Sequence, residues 1–99
     1  MQHAVFYHWK VKEGREEDFA RAWGEVTKDG KDRCGSKGAI LHRCDDGTFA
    51  AYALWPDKTS REECWLGDAS QTEAARTLVD CTETKLAEVL MDVADDRLG

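Results

Sequence analysis

The strand-like segment HAVFYHWKVK, residues 3–12, contains a tyrosine, a histidine and a tryptophan in consecutive positions. A histidine titrates near neutral pH, so His8 could act as a general base. The phenol of Tyr7, or that of Tyr52, could donate a hydrogen bond to an ionised phenol. An alternative role for His8 is a hydrogen bond across a subunit interface, because it alternates with Tyr7 and lies on the opposite face of the strand.

Trp55 closes a second strand-like segment, TFAAYALW, immediately before Pro56, which is the only proline of the chain. Ala51 and Ala53 lie on the same face of this strand as Trp55, since alternate residues share a face. Two small side chains in that row leave space between the sheet and the helices that cover it. The pattern therefore indicates either a pocket or a place where large side chains from the helices enter.

The space beside Trp55 has two interpretations. In the first it is a pocket whose walls include Trp55, Tyr7 and Trp9. In the second, Trp23 and Trp65 fill it, and all these rings belong to the core. On the pocket interpretation the candidate catalytic residues are Tyr7, Trp55 and, from the other face, His8. The candidate substrate-binding residues are then Trp9, Trp23, Ala51, Ala53 and Trp65.

The cysteines are widely spaced along the chain, at Cys34, Cys44, Cys64 and Cys81. No pair has the two-residue gap of a zinc ribbon or a redox motif, and free thiols are the default without a secretion signal. His42 and Cys44 could offer two ligands from one strand face, but no second pair completes a metal site. The sequence also has no glycine-rich phosphate loop. It predicts no metal and no bound cofactor.

The size and charge of the chain restrict its class. Its 99 residues are enough for one domain, which we expect to span residues 1–99. A net charge of −6 argues against nucleic acid and anionic membrane surfaces as partners. No apolar run reaches the ~20 residues of a membrane span, and MQHAVFYHWK is not a signal peptide pattern. We expect a cytoplasmic protein.

The elements that position these residues follow from hydrophobic periodicity. Phe19, Trp23 and Val26 recur at helical spacing, which predicts a helix from about Arg15 that fades near Gly30. Asp57, Thr59 and Ser60 are possible N-caps of a short helix after Pro56. The predicted strands are 3–12, 39–44, 48–55 and 88–95, and the predicted helical stretches are 15–30, 59–66 and 72–84.

The predicted order of strand, helix, two strands, helix and strand is that of a ferredoxin-like α+β fold. Right-handed crossovers then place all the helices on one face of a four-stranded antiparallel sheet. The opposite face carries the apolar side chains of Phe6, Tyr52 and Leu54, and a patch of this kind is rarely left exposed. We expect a second copy of the chain to cover it, in a homodimer.

Two stretches, FYHWKVKEGREEDFARAW and GSKGAILHRCDDGTFAAYALWPDK, resemble the antibiotic biosynthesis monooxygenase family of dimeric α+β barrels. The resemblance rests on the entry into the first helix from Val11 to Gly14, on Phe19 and Trp23, and on Trp55 before an Asp-capped helix. The loop from Gly35 to Gly38 also matches. The resemblance implies a dimeric barrel. The quinol and anthrone oxygenases of this family use neither metal nor flavin.

The resemblance implies a small monooxygenase that oxidises an aromatic or quinol-like molecule with O2, with no cofactor. In that chemistry the substrate loses a proton and its anion reduces O2 directly. Haem-degrading relatives use an Asn on the first strand and a His on a later helix. Here those positions fall at Tyr7 and at about Ala75 or Arg76, which argues against haem ligation. The alternatives are a non-enzymatic dimeric protein that binds a small apolar molecule, and a structural dimer.

Overall fold

The computed structural model of the chain describes residues 1–98, except for the side chains of Asp68 and Ala69. Its elements confirm the predicted ferredoxin-like α+β fold. They are β1 (His3–Val11), α1 (Glu16–Cys34), β2 (Gly38–Arg43), β3 (Phe49–Trp55), α2 (Lys58–Leu66), a 3₁₀ helix (Asp68–Gln71), α3 (Glu73–Cys81) and β4 (Thr82–Asp92). Among these described residues, no helix is long and apolar enough to cross a membrane.

The four strands form one antiparallel sheet in the order β2-β3-β1-β4, so β1 is a central strand. Tyr7 of β1 lies opposite Ala51 of β3 on one side and Glu88 of β4 on the other. Residues that lie opposite one another in a ladder project from the same face. Tyr7, Ala51 and Glu88 therefore form one row across the sheet, on the face that the helices cover.

The core lies between the helices and this face of the sheet, in two clusters. One cluster contains Trp9, Phe19, Phe49, Ala51 and Cys81. The other contains Val5, Trp55 and Cys64, with Cys34 packed against it. The members of both clusters that come from β1 and β3 belong to the residue sets that alternation predicted for the helical side, so the predicted helical faces of both strands are confirmed. Ala4 and Ala50, on the opposite face, are buried as well.

Helix α1 continues for one turn beyond the predicted end near Gly30. It ends at Cys34 and is capped by Gly35, whose φ of 74° is a left-handed conformation that favours glycine. The backbone N–H of Ser36 bonds to the carbonyl of Gly30 at 3.2 Å and helps to close this end. A glycine within a helix is a weak stop signal, because it costs only about 1 kcal/mol there.

Strand β4 begins at Thr82, where the sequence predicted the end of a helix. The prediction of helix over 82–84 was wrong because pairing with β1 overrides the local pattern. Val11 lies opposite Thr82, and the N–H of Lys12 bonds to the carbonyl of Cys81 at 2.8 Å. This ladder gives partners to backbone groups over the full length of β1.

The N-cap of α2 is Asp57, one of the three residues predicted for this role. Its side chain accepts a hydrogen bond from the backbone N–H of Ser60 at 2.7 Å.

A disulfide between Cys34 and Cys64 joins the end of α1 to α2, with an S–S distance of 2.11 Å and a sequence separation of 30. The expectation of four free thiols was therefore wrong for this pair, whereas Cys44 and Cys81 are free. The spacing of cysteines cannot show which of them the fold brings together. The Cα atoms of Cys34 and Cys64 lie 5.6 Å apart, a normal separation for a disulfide.

No described residue forms a covering layer over the face of the sheet opposite the helices. Register places Ile40, Tyr52, Phe6 and Val89 in one row across it. Ile40 is 61% exposed and Val89 is 45% exposed, while Phe6 and Tyr52 are half-buried. Leu54, one pair further along β3, is also half-buried. The apolar surface from which a dimer was predicted is thus present as a continuous row.

Candidate functional site

A cavity of about 640 Å³ lies between the helices and the sheet. This volume is within the range of small-molecule sites. Every residue of the helical side that was predicted to bind substrate or act in catalysis lines it. These residues are Tyr7, Trp9, Trp23, Ala51, Ala53, Trp55 and Trp65.

Trp55 takes part both in the core and in the wall of this cavity. It is only 5% exposed and packs with Val5 and Cys64. A methyl group at Gly30 would lie 3.8 Å from the Cη2 atom of the ring, so the indole reaches α1. Space remains beside it because Ala51 and Ala53 are small. Both interpretations of the sequence therefore apply to Trp55: part of the ring packs in the core, and part of it lines the cavity.

One wall of the cavity is built from stacked aromatic rings. The rings of Tyr7 and Trp9 lie 5.2 Å apart at an interplanar angle of 6°. Trp9 in turn packs edge-on against Phe19, which is fully buried. Such contacts hold the rings in fixed orientations, and a flat apolar wall is complementary to a flat aromatic ligand.

The polar part of the cavity is centred on Arg61 of α2. Its Nη2 atom donates to the hydroxyl oxygen of Tyr7 at 3.0 Å and to Oε1 of Glu88 at 3.3 Å. Nζ of Lys85 lies 3.5 Å from the same carboxylate oxygen. The side chain of Arg61 is only 14% exposed, so its charge lies in a largely apolar cavity.

Burial raises the pKa of Tyr7 above its usual value, although the hydrogen bond and the charge of Arg61 oppose this shift. The phenol is therefore neutral at neutral pH and keeps its proton. Its oxygen accepts a hydrogen bond from Arg61, and no side chain that the structure describes accepts a bond from its O–H. Tyr7 can thus donate this O–H to a ligand, and the bond from Arg61 strengthens it as a donor.

His8, the predicted candidate base, is separated from this cavity by the sheet. Its Nε2 atom lies 2.7 Å from Oγ1 of Thr48, which donates to Oδ1 of Asp46 at 2.6 Å. Because the Thr48 hydroxyl has one proton, His8 must be the donor in the first bond. The ring is thereby held on the opposite face, and it cannot accept a proton from a ligand beside Tyr7.

No protein-family model matches the sequence, and no curated protein is significantly similar to it. Solved structures do match. SnoaB from Streptomyces nogalater, a cofactor-independent oxygenase, superposes with a TM-score of 0.83 at 14% identity, covering 99% of this chain and 98% of SnoaB. A conserved protein from Methanosarcina mazei gives a TM-score of 0.77 at 13% identity, with 92% and 91% covered.

A third structure, from Bordetella bronchiseptica, bears a provisional assignment as an antibiotic biosynthesis monooxygenase. It gives a TM-score of 0.72 at 16% identity, with 93% of this chain and 96% of that chain covered. The fold is that of the antibiotic biosynthesis monooxygenases. The resemblance read from the sequence is thus confirmed for the fold.

The resemblance to antibiotic biosynthesis monooxygenases indicated Tyr7 and Trp55 but neither Arg61 nor Glu88. A signal for Arg61 was present, because it precedes Trp65 by four residues on α2 and so shares a face with it. Glu88 could be placed only with the register of β4, in which it lies opposite Tyr7. The predicted strand began only at residue 88, so its register against β1 was not available from the sequence.

No group of three metal-binding side chains occurs within the described part of the chain.

Proposed function

We propose that this protein is a cofactor-independent monooxygenase that oxidises an aromatic or quinol-like small molecule with O2. The observation that carries the proposal is the cavity, in which a stack of aromatic rings adjoins the O–H of Tyr7, a donor with no acceptor among the described residues. SnoaB, which has the same fold, is a cofactor-independent oxygenase. We further propose that residues 1–99 act as one domain.

The electrons for this reaction come from the substrate itself. An ionised ring hydroxyl raises the electron density at a ring carbon, which forms a C–O bond with O2. In an anthrone this carbon begins with two hydrogens, one of which is the proton lost on ionisation. After the peroxide takes up a proton, the second hydrogen leaves as the O–O bond breaks, and water is released. One oxygen atom stays on the carbon as a carbonyl, and the other leaves in the water. Tyr7 and Arg61 hold the ionised oxygen, and the apolar walls exclude water, which strengthens both contacts.

A homodimer is part of the proposal. The row formed by Ile40, Tyr52, Phe6 and Val89 is apolar and uncovered. Packing this face against its copy would remove it from water, at about 25 cal/mol for each Å² of apolar surface. His8 lies on this face, half-buried, so its place in the proposal is the subunit interface and not the reaction.

The alternative is a binding protein without catalysis, because the same cavity could hold an aromatic molecule that does not react. A purely structural dimer is less well supported, since a filled core would leave no cavity of about 640 Å³. Binding and turnover must therefore be measured separately.

Oxygen uptake with dithranol, a hydroxyanthrone, tests the proposal. We expect consumption of O2 above the rate without protein, and one labelled oxygen atom in the ketone product when the gas is isotopically labelled. Tyr7→Phe removes the O–H and should lower the rate by about tenfold or more, as loss of a transition-state donor does. Tyr52→Phe is the matched control, because Tyr52 lies on the other face of the sheet.

Dithranol that binds without protein-dependent O2 uptake would support the binding-protein alternative. If Tyr52→Phe lowered the rate as much as Tyr7→Phe, the cavity would not be the site of the reaction.

A further inference from the structure

The cation of Arg61 in the cavity wall has no carboxylate to itself among the described residues. The charged residues that line it are Arg61, Lys85, Glu83 and Glu88. Glu83 is already paired outside this set, since its Oε2 atom lies 3.0 Å from Nζ of Lys10. Arg61 and Lys85 then share the single carboxylate of Glu88. The four charges that line the cavity cancel, but the only carboxylate beside Arg61 among the described residues is this shared and partly exposed one.

Arg61 has unused hydrogen-bonding capacity. Both of its bonds to Tyr7 and Glu88 use the Nη2 atom, although a guanidinium group has five N–H donors. Its Nε atom is buried and has no partner among the described residues. A buried and incompletely bonded cation is costly. An oxygen anion from a ligand would supply both a counter-charge that Arg61 does not share and the missing acceptor.

The bond between Arg61 and Glu88 can be exchanged without leaving a charge unpaired. Oε1 of Glu88 lies 3.3 Å from Arg61 and 3.5 Å from Lys85, so the carboxylate already has two cationic partners. Lys85 is 53% exposed and Glu88 is 34% exposed, whereas Arg61 is 14% exposed. Glu88 can therefore pair with Lys85 at the solvent side while Arg61 turns to a ligand.

We propose that the cavity binds its aromatic ligand as an anion, whose charged oxygen pairs with Arg61 while Glu88 passes to Lys85. This inference rests on the proposed function for the identity of the ligand as an aromatic molecule. The anionic oxygen can belong to an ionised ring hydroxyl or to a carboxylate on the ring. In both cases the ring lies along the wall formed by Tyr7 and Trp9, with the oxygen directed at Arg61.

Calorimetric titration with two matched pairs of probes tests the inference without any turnover. The first pair is lawsone, a hydroxynaphthoquinone that is ionised at neutral pH, and its neutral methyl ether. The second pair is naphthoate and its neutral amide. We expect at least one anion to bind about tenfold or more tightly than its neutral partner, as for a charge-assisted hydrogen bond. Preference for lawsone alone identifies a ring hydroxyl, and preference for naphthoate alone identifies a carboxylate.

Two substitutions should act in opposite directions. Arg61→Gln should reduce the preference for the anion by about tenfold and leave the affinity for the neutral partner within about threefold. Glu88→Gln removes the competing carboxylate and should strengthen binding of the anion. Arg21→Gln, on the surface of α1, is the matched control, because the only ion pair of Arg21 in the described structure is with Asp18.

Equal affinity for charged and neutral partners would overturn this inference while leaving an aromatic-binding cavity intact. So would a preference that survives Arg61→Gln, or a loss of anion binding in Glu88→Gln. If none of the four probes bound, both this inference and the aromatic ligand of the proposed function would fail.

Discussion

Nη2 of Arg61 donates a hydrogen bond of 3.0 Å to the hydroxyl oxygen of Tyr7, a residue 54 positions earlier in the chain. The bond connects α2 to the central strand of the sheet, so the position of this short helix fixes the polar part of the cavity. The guanidinium carbon also lies 6.0 Å from the centroid of the Tyr7 ring. Changes at either residue should therefore be detectable at the other.

The ionisation of Tyr7 provides the first prediction. The chain has only two tyrosines, so in a Tyr52→Phe background the tyrosinate absorbance reports Tyr7 alone. We expect a pKa above the usual value of about 10, because burial raises it. Arg61→Gln should raise it further, since Arg61 lowers the pKa of Tyr7 through its hydrogen bond and its charge.

The same shift gives the sign of a pH effect on stability. A group whose pKa is higher in the folded protein contributes stability below its unfolded pKa, and this is lost as the pH rises through the folded pKa. Wild type should therefore lose stability relative to Tyr7→Phe only in strongly alkaline solution. A pKa of Tyr7 that fell in Arg61→Gln would contradict the arrangement.

The disulfide between Cys34 and Cys64 provides the second prediction. Closing a loop with a separation of 30 residues restricts the unfolded chain, which corresponds to about 3.6 kcal/mol. We expect the double variant Cys34→Ala, Cys64→Ala to lose about 2–4 kcal/mol of unfolding free energy in chemical denaturation. The disulfide also ties α2 to α1. Its loss should therefore weaken the hydrogen bond between Arg61 and Tyr7 and lower the affinity for the aromatic probes.

Cys44→Ala is the control for the disulfide, since Cys44 is a free thiol outside the main core. It should change stability by less than about 0.5 kcal/mol. A dithiol reductant should destabilise wild type and leave the double variant unchanged. Disulfides are rare in reducing compartments, so chemical trapping of free thiols in living cells would also test the cytoplasmic location expected from the sequence.

The sequence predicted the sheet side of the site well, because strand alternation and small residues are local signals. Ala51, Ala53 and Trp55 were assigned to one face, and the structure places all three against the cavity. The helical contribution was less accessible. Arg61 belongs to the site because it contacts Tyr7, which is distant in the sequence. The residues that flank an arginine look the same whether its side chain is solvated or buried, so its role could not be predicted from them.

The remaining differences have the same physical origin, which is pairing over long sequence distances. The start of β4 at Thr82 depends on pairing with Val11, although residues 82–84 fit a helix locally. The disulfide depends on α1 extending to Cys34, one turn beyond Gly30. Neither the ladder nor the close approach of two cysteines is encoded in the spacing of neighbouring residues.

The glycines of α1 provide the third prediction. Gly30→Ala should stabilise the protein by about 0.5–1 kcal/mol, because a glycine inside a helix costs that much relative to alanine. The added methyl group would meet Trp55 and Ser36 at 3.8 Å, an ordinary contact distance. Gly24→Ala is the matched control, since its methyl group would meet no described atom within 4 Å outside its own stretch of helix.

Gly35→Ala should have the opposite sign, because Gly35 has a φ of 74° and alanine is strained there, by about 1–2 kcal/mol. Thermal denaturation of the three variants would measure these effects. A loss of stability in Gly30→Ala but not in Gly24→Ala would mean that Trp55 is packed too tightly against α1 for the extra methyl group.

The uncovered sheet face provides the fourth prediction. Analytical ultracentrifugation of wild type should show twice the monomer mass, and Tyr52→Lys should shift the protein to the monomer, because it places a charge in the apolar row. Leu66→Lys is the control. Leu66 is 88% exposed but lies on α2, on the helical side. A monomeric wild type, or a dimer that Tyr52→Lys leaves intact, would contradict the proposed interface.

Trp55→Phe provides the last prediction, because the ring is buried in the core and also lines the cavity. The smaller ring leaves space beside Val5 and Cys64, which lowers the unfolding free energy. Opposing this, it removes a buried indole N–H that has no partner among the described residues, a group that is costly to keep.

The net loss from Trp55→Phe should be about 1 kcal/mol, below the usual cost of a large cavity. Trp65→Phe is the matched comparison, because Trp65 lines the same cavity but is only half-buried, and its own buried indole N–H also has no partner among the described residues. It should lose less stability while changing the affinity for lawsone at least as much. Chemical denaturation and calorimetry on the same samples would separate the two effects. Equal stability losses in the two variants would mean that the burial of Trp55 in the core contributes nothing beyond its place in the cavity wall.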